Sequence, residues 1–325
     1  MDLKTLPHEG ILSYINTDLD ILVGFSGGPD SSALLMALCA LKQQHELKAN
    51  VYALHINHGI NENADKWEEH CKTICHSLGI DLLVEKVLIA SNSKSFELEA
   101  RNARLKVFER YTNQFPQICL AHHLNDQVET ILFRLFRGTG IKGISGMSAK
   151  RAIGKGFLIR PFLQITKEHL MQYLDSIDIG YIKDASNINE TMDRNFIRNS
   201  VVPLIESRWG AASKKIFEFG KLAYEETVIL NSLFDHAYGY LYKSEELNKK
   251  ELKELSSSLR RKVIRHWIEF NNLPMPNFSI LQEIEKTFIE SLSSYDARVS
   301  WRRSDDESHG VILLHNKQEI YFEII

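Results

Sequence analysis

Seven residues, Ser26-Gly27-Gly28-Pro29-Asp30-Ser31-Ser32, constrain this chain more than any others. They follow a short apolar run, Asp20-Ile21-Leu22-Val23-Gly24-Phe25, and lead into Ala33-Leu34-Leu35-Met36-Ala37-Leu38, a strong helix former. The pattern predicts a buried strand, a glycine loop and a helix. Such a loop aims free backbone amides at one point, and the helix dipole favours negative charge there. Phosphate is the expected occupant. The loop lacks the Gly-Lys-Ser/Thr of a Walker A sequence, and its two glycines are adjacent rather than spaced as in dinucleotide sites. In place of a lysine it offers the hydroxyls of Ser26, Ser31 and Ser32 and the carboxylate of Asp30. A carboxylate beside a phosphate repels it unless a cation lies between them, which makes Asp30 a candidate magnesium ligand. The alternative is a solvated turn, or a helix cap made by Asp30 or Ser31.

The strand pattern recurs at residues 50–57, 81–87 and 117–121, and helices are expected at residues 64–78, 97–111 and 126–136. Strands alternating with helices predict an α/β fold with a doubly wound parallel sheet. From Ala211 onward the character changes. Ile216, Phe219, Ala223, Leu230 and Leu233 trace one helical stripe, and Leu252, Leu255, Leu259, Val263 and Trp267 trace another. A third helix is expected at residues 280–292, and short strands at 298–301, 311–314 and 320–324. The chain therefore divides into an expected catalytic domain at residues 1–210 and a second, mainly helical domain at 211–325. With 325 residues and 44% apolar content, both can bury a core. The first fifteen residues carry Asp2, His8 and Glu9 without a basic stretch leading to an apolar core, and no apolar run approaches the ~20 residues that a spanning helix needs. A soluble cytoplasmic protein, away from the membrane, is expected, and a homodimer is compatible with the sequence.

Cys71 and Cys75 are four apart, but Trp67, Cys71, Ile74, Cys75 and Leu78 form one apolar stripe, which favours buried structural cysteines over metal ligands. With Cys39 and Cys119 they make four cysteines and no Cys-x-x-Cys, so neither a disulfide framework nor a redox pair is expected.

A second constellation, Ala121-His122-His123-Leu124-Asn125-Asp126-Gln127-Val128-Glu129-Thr130, follows a strand and opens a helix. That arrangement brings two imidazoles and two carboxylates to the carboxyl edge of the sheet, where doubly wound sheets bind ligands. Asp126 and Glu129 share a helix face. Metal ligation by His122 and His123 is the alternative, although no further His or Cys has matching spacing. The formal net charge of -3 hides clustering: Arg134, Arg137, Lys142, Lys150, Arg151, Lys155 and Arg160 form a run with no intervening acid. Within it, the glycine-rich segment from Arg137-Gly138-Thr139-Gly140 to Gly146 reads as a mobile loop that presents Arg137 and Lys142 to an RNA backbone, or as a flexible connector with solvated charges. Arg194 and Arg198 are four apart and can act as one basic face. Arg260-Arg261-Lys262 with Arg265 reads equally as a solvated face or as a contact with an RNA stem.

The Ser26 to Ser32 loop resembles the Ser-Gly-Gly-x-Asp-Ser signature of the pyrophosphate-loop ATPase superfamily, whose members cleave ATP between the α- and β-phosphates and transfer AMP to an oxygen. Further segments resemble the lysidine synthetases within it: Ala121 to Thr130; Leu132 to Met147; Arg160-Pro161-Phe162-Leu163 with Asp184-Ala185-Ser186-Asn187 and Arg194-Asn195-Phe196-Ile197-Arg198-Asn199; and Glu97-Leu98-Glu99-Ala100-Arg101-Asn102-Ala103-Arg104, where Leu105 replaces a usual aromatic. The resemblance implies an enzyme that joins free L-lysine to C2 of the wobble cytidine in the CAU anticodon of tRNA(Ile), through an adenylated cytidine and at the expense of ATP. It further implies ATP and magnesium at Ser26, Gly27, Gly28, Pro29, Asp30, Ser31 and Ser32. Arg101 or Arg104 would meet the α-phosphate or the adenylated base. Asp126 and Glu129 would hold the lysine ammonium, Asp126 or His122 would take its proton, and Arg137, Lys142, Arg194 and Arg198 would contact tRNA. A proton acceptor is needed because an amine with pKa near 10.4 is neutral in only about one molecule in ~10³ at pH 7. The competing expectations are a tRNA thiolase of the same superfamily, disfavoured by the missing cysteine pairs, and a nucleotide- or RNA-binding module without catalysis.

Overall fold

The four apolar residues of β1 (Ile21–Gly24) have neighbours on both sides, β2 (Val51–Asn57) and β4 (Gln117–Cys119), and both pairings are parallel. Burial on both faces explains why these strands read as continuous apolar runs rather than alternating ones. The computed structural model describes residues 8–57, 59, 64–87, 96–177, 179–182, 193–291, 296–302 and 310–325. Asp184-Ala185-Ser186-Asn187 falls outside them.

After the short helix α1 (His8–Leu12) and β1, helix α2 (Pro29–Gln43) crosses to β2, α3 (Ala64–Leu78) to β3 (Leu82–Lys86), and α4 (Phe96–Tyr111) to β4. Helix α5 (Leu124–Phe136) and the single-turn α6 (Ile141–Ile144) precede β5 (Lys150–Ile153) and β6 (Gly156–Ile159). The six-stranded order is β3-β2-β1-β4-β6-β5. The chain winds outward from β1 through β2 to β3 and then returns to β1's other side at β4, so the direction of winding reverses between β1 and β4. That reversal opens a crevice at the carboxyl ends of those two strands. β5 departs from the parallel expectation. It pairs antiparallel with β6, because only Gly154 and Lys155 separate the paired Ile153 and Gly156, and so tight a turn cannot cross over. Gly154 has φ +49°, a left-handed value that suits glycine.

Helices α7 (Lys167–Ser176), α8 (Asp193–Phe196) and α9 (Val202–Arg208) follow, with a wider π turn, Ile197–Val201, between the last two. Helix α10 (Ala212–Tyr242) is 31 residues long, and the division of the chain into two compact units, residues 1–227 and 228–325, falls inside it. The apolar stripe expected on this helix is only partly inward. Ala223 is buried and Ile216 packs against a core cluster, but Phe219, Leu230 and Leu233 are exposed. The buried side farther along runs through Phe234, Leu241 and Tyr242, at a different angle around the helix.

The second unit holds β7 (Leu247–Asn248), α11 (Lys249–Lys253), α12 (Ser257–Phe270), α13 (Phe278–Glu285), β8 (Val299–Trp301), β9 (Val311–His315) and β10 (Glu319–Ile324). Its strands form an antiparallel sheet in the order β7-β10-β9-β8. Trp267 lies at its centre, fully buried, with its indole N–H donating to the Ser244 carbonyl at 3.1 Å. The basic cluster on α12 is not a simple solvated face. Arg260 is buried and donates to the carbonyls of Leu252 and Leu255 and to Glu285 at 2.9 Å, and Arg261 reaches the other Glu285 oxygen at 2.7 Å.

Candidate functional site

The loop after β1 is held open by its own hydroxyls. Ser31 Oγ accepts from the Ser26 amide at 3.2 Å and donates to the Gly28 carbonyl at 3.0 Å, which fixes the bend of the chain. Gly27 has φ +77°, and a Cβ there would lie 3.0 Å from both Cys71 Sγ and the Ile182 side chain, so the position requires glycine twice over. Pro29 opens α2, where its missing N–H costs nothing. Asp30 follows in the first turn. One of its oxygens is enclosed and accepts no hydrogen bond, and the Ser32 hydroxyl is likewise enclosed without a partner. The Asp30 oxygen suits a small hard cation, and the Ser32 hydroxyl suits either that cation or a phosphate oxygen.

At the end of β4, helix α5 begins with His123, which is an unusual cap. Its Nδ1 accepts from the Asp126 amide at 3.3 Å, and Asp126 Oδ2 accepts from the His123 amide at 3.0 Å. This reciprocal box satisfies two orphan donors of the helix start. Because Nδ1 is the acceptor, the neutral ring carries its proton on Nε2, which faces Asp30 at 3.6 Å and Asp126 at 3.5 Å. His123 thus joins the two switch-point loops. The sequence marks it only as one of two adjacent histidines, since the usual Ser/Thr cap is absent.

Glu129, 2% exposed, is the most buried of the candidate acids. Arg198 binds it in a fork, Nε to Oε1 at 2.6 Å and Nη2 to Oε2 at 2.8 Å, and Arg194 Nε donates to Oε2 at 3.1 Å. Both arginines extend to Asp126 Oδ1, at 3.4 Å from Arg198 and 3.8 Å from Arg194. Burial opposes charge on Arg198, but its hydrogen bond and ion pair with Glu129 hold its pKa above the ordinary value. Burial likewise works to raise the Asp126 carboxyl, yet the fields of His123, His122 and Arg194 hold it below the ordinary range. His122 is pushed down to about 3, chiefly by burial and then by Arg160, Arg194 and Arg104 against the pull of Asp126. It is neutral at pH 7.

One cavity of about 720 Å³ is walled by Ser26, Gly28, Asp30 and Ser31 on one side, by His55, Ile56 and Asn57 from β2, and by His122, Asp126 and Arg160. Arg101 and Arg104 reach it from α4. Of the sequence-derived candidates, Asp30, Arg101, Arg104, His122 and Asp126 therefore share one space, and Glu129 joins through the arginines. Arg137 and Lys142 do not line it. They lie exposed around α6, with the Arg137 guanidinium 5.1 Å from the Phe133 ring centre. Their glycine-rich segment is built rather than loose. Arg134 donates to the carbonyls of Gly143 and Gly146, and the Gln127 amide brackets Met147 at 2.6 and 2.8 Å.

All four cysteines are free thiols. Burial pushes Cys71, Cys75 and Cys119 up to about 12 and Cys39 up to about 11, far from the thiolate that sulfur transfer needs. Among the described residues no group of three or more His, Cys, Asp or Glu is arranged to hold a metal, and no helix is long and apolar enough to cross a membrane.

Residues 6–205 match the PP-loop domain family, and residues 247–304 match the TilS substrate binding domain. A tRNA(Ile)-lysidine synthase of Coxiella burnetii is 33% identical over 95% of this chain and 69% of its own length. One of Proteus mirabilis is 33% identical over 94% of this chain and 70% of its own length. Among solved structures, a U34-tRNA thiolase of Methanococcus maripaludis with a [4Fe-4S] cluster shares the fold, with a TM-score of 0.56 and 14% identity over 67% of this chain and 78% of that one.

Proposed function

Since this chain belongs to the tRNA(Ile)-lysidine synthase family, an ATP-dependent ligase family, we propose that the switch-point cavity is where a cytidine of tRNA(Ile) is adenylated and then joined to lysine. The observation that carries this reading is the convergence of the Asp30 loop and the His123–Asp126 box on one cavity, with an Asp30 oxygen enclosed and unpartnered. In the first step the C2 oxygen of the cytosine attacks the α-phosphorus of ATP, the bond to the bridging oxygen breaks, and pyrophosphate leaves. In the second, the lysine ε-nitrogen attacks C2, the C2–oxygen bond breaks, AMP leaves, and the nitrogen loses a proton.

The amides and hydroxyls of Ser26 to Ser32 would hold the pyrophosphate end, the helix start adding its dipole. Asp30 with Ser32 would hold magnesium, which when bound neutralises charge on the phosphates. Arg101 and Arg104 would balance the charge that develops at the α-phosphate. His123 would keep Asp30 and Asp126 in register. Asp126, its acidity strengthened by its neighbours, is suited to hold the ammonium in its charged form. A neutral His122 would face the base as a hydrogen-bonding group and accept the proton only once AMP's negative charge sits beside it. Glu129 enters as the anchor of Arg194 and Arg198. Those arginines would meet RNA only through the exposed third of each side chain, whereas Arg137 and Lys142, exposed around α6, would present their charges to phosphate directly. The unit at residues 228–325, which contains the substrate-binding match, would carry the remaining tRNA contacts, and the reaction would take place in the cytoplasm with cellular tRNA. Incubation with ATP, radiolabelled lysine and bacterial tRNA tests the whole reading: label in tRNA(Ile) with release of AMP is expected, and AMP release without labelled tRNA would overturn it.

A further inference from the structure

Arg160 stands at the end of β6 with its side chain inside the cavity wall, and it is only 6% exposed. Its Nη1 donates to the Ser148 carbonyl at 2.8 Å, but its Nε is enclosed and has no partner. Among the described residues no carboxylate pairs with it. The groups that act on it most strongly, after burial, are other cations: Arg151, Arg101 and Arg134. Its pKa is pushed down to about 10, so it is still charged at neutral pH. Across the cavity wall, His122 Nδ1 is also enclosed without a partner. The two groups project from the ends of adjacent strands, which lie about 4.8 Å apart. A buried guanidinium with cations around it and no acid beside it is unfavourable by itself, and an anion brought by a ligand would offset that cost.

We infer that Arg160 is a phosphate-binding residue of this cavity, its free Nε donating to an oxygen of the adenylyl phosphate. This rests on the proposal that the cavity performs adenylyl transfer. The order of strands separates the two ends of the triphosphate. The Ser26 to Ser32 loop follows β1, whereas Arg160 follows β6, two strands away across β4. Arg160 is therefore remote from the pyrophosphate end and close to His122, where the base and the α-phosphate would meet. A planar guanidinium suits this task because it presents parallel donors to a phosphate, and it stays charged where a buried lysine would lose its proton. A phosphodiester of the tRNA beside the target base offers the same oxygens, and the experiment separates the two sources.

The test is equilibrium binding of AMP, of inorganic pyrophosphate and of tRNA to the full chain and to Arg160→Met and Arg160→Lys, with circular dichroism to confirm folding. Arg160→Met is expected to weaken AMP by about tenfold or more while pyrophosphate changes by less than about twofold. Arg160→Lys, which loses the fork and whose ammonium burial drives toward the neutral form, is expected to weaken AMP at least about threefold. If AMP is unaffected and the salt slope of tRNA binding shrinks by about 0.7 to 0.9, the phosphate belongs to the RNA, and the adenylyl assignment is overturned in favour of that source. If AMP, pyrophosphate and tRNA all bind both folded variants as they bind the parent, Arg160 is only an anchor for the Ser148 carbonyl and the inference fails. Failure of the parent protein itself to bind AMP and pyrophosphate would overturn the adenylyl-transfer reading, a result distinguishable from any effect of Arg160.

Discussion

The enclosed Oδ1 of Asp30 accepts no hydrogen bond, and His123 Nε2 stands 3.6 Å from that same oxygen. Removing its charge without its volume is therefore expected to leave folding nearly intact and to remove the chemistry. Asp30→Asn should lower AMP formation by roughly 10²- to 10³-fold, the scale of losing one electrostatic stabiliser, with little change in thermal unfolding. Ordinary AMP release from that variant would take Asp30 out of the reaction. His122 makes a second prediction, about pH. Its folded pKa, about 3, lies below its unfolded value, so the unfolded chain takes up the proton first and stability falls as pH drops below about 6.5. The wild type should lose up to about 1.4 kcal/mol per pH unit more than His122→Gln between pH 6 and 4.5, measured by urea unfolding at each pH. Parallel curves for the two proteins would mean that His122 is not held neutral by the fold. The buried thiols show the same logic in reverse: they too stay neutral, and sulfur chemistry has no thiolate to use.

Helix α5 carries Asp126 and Glu129, and its neighbours can be tested as elements. Arg198→Ala takes the fork from a buried Glu129 and leaves only Arg194. Since Arg198 is itself about one-third exposed, the expected loss is about 2 to 3 kcal/mol, below the range for fully buried pairs. Adding Glu129→Gln should return part of that stability, because the stranded charge is gone, whereas additive losses would show that the two side chains do not act as a unit. Gly146 has φ +71°, and a Cβ there would come within 2.7 Å of the Gln127 side chain that brackets Met147. Gly146→Ala should therefore cost about 1 to 3 kcal/mol and speed proteolytic cutting near α6. The strand, loop and helix around Asp30 were legible because a short apolar run, two glycines and a helix former stand side by side. The β5–β6 hairpin was not, since Lys150, Arg151 and Ala152 are exposed on an edge strand whose identity comes from pairing with β6. The clasp of Arg194 and Arg198 on Glu129 joins residues 65 and 69 positions apart, a distance at which no local pattern speaks.

At the scale of the whole molecule, Arg260 distinguishes a structural charge from an RNA-binding one. Its sequence neighbours suggest a basic surface, but Glu285, 25 residues away, holds it inside the second unit together with two carbonyls. Arg260→Ala is expected to cost about 3 to 5 kcal/mol in the unfolding of that unit and to leave the salt slope of tRNA binding unchanged. Arg137→Ala and Lys142→Ala should do the opposite, each shrinking the slope by about 0.7 to 0.9 with little effect on stability, as read by filter binding at several salt concentrations. An unchanged slope for both would move the RNA to another surface. The two units also differ from most neighbouring domains in how the chain passes between them. Domain borders usually fall in exposed, irregular linkers, where a protease cuts readily and a gene can be divided cheaply. Here the border falls within the 31 residues of α10, so any cut there creates two new helix ends, each with four backbone groups left without partners. Dissection into halves should therefore yield fragments with frayed, sticky ends, and a split-protein design would do better to divide the chain in the Gly154-Lys155 turn, where the backbone already reverses.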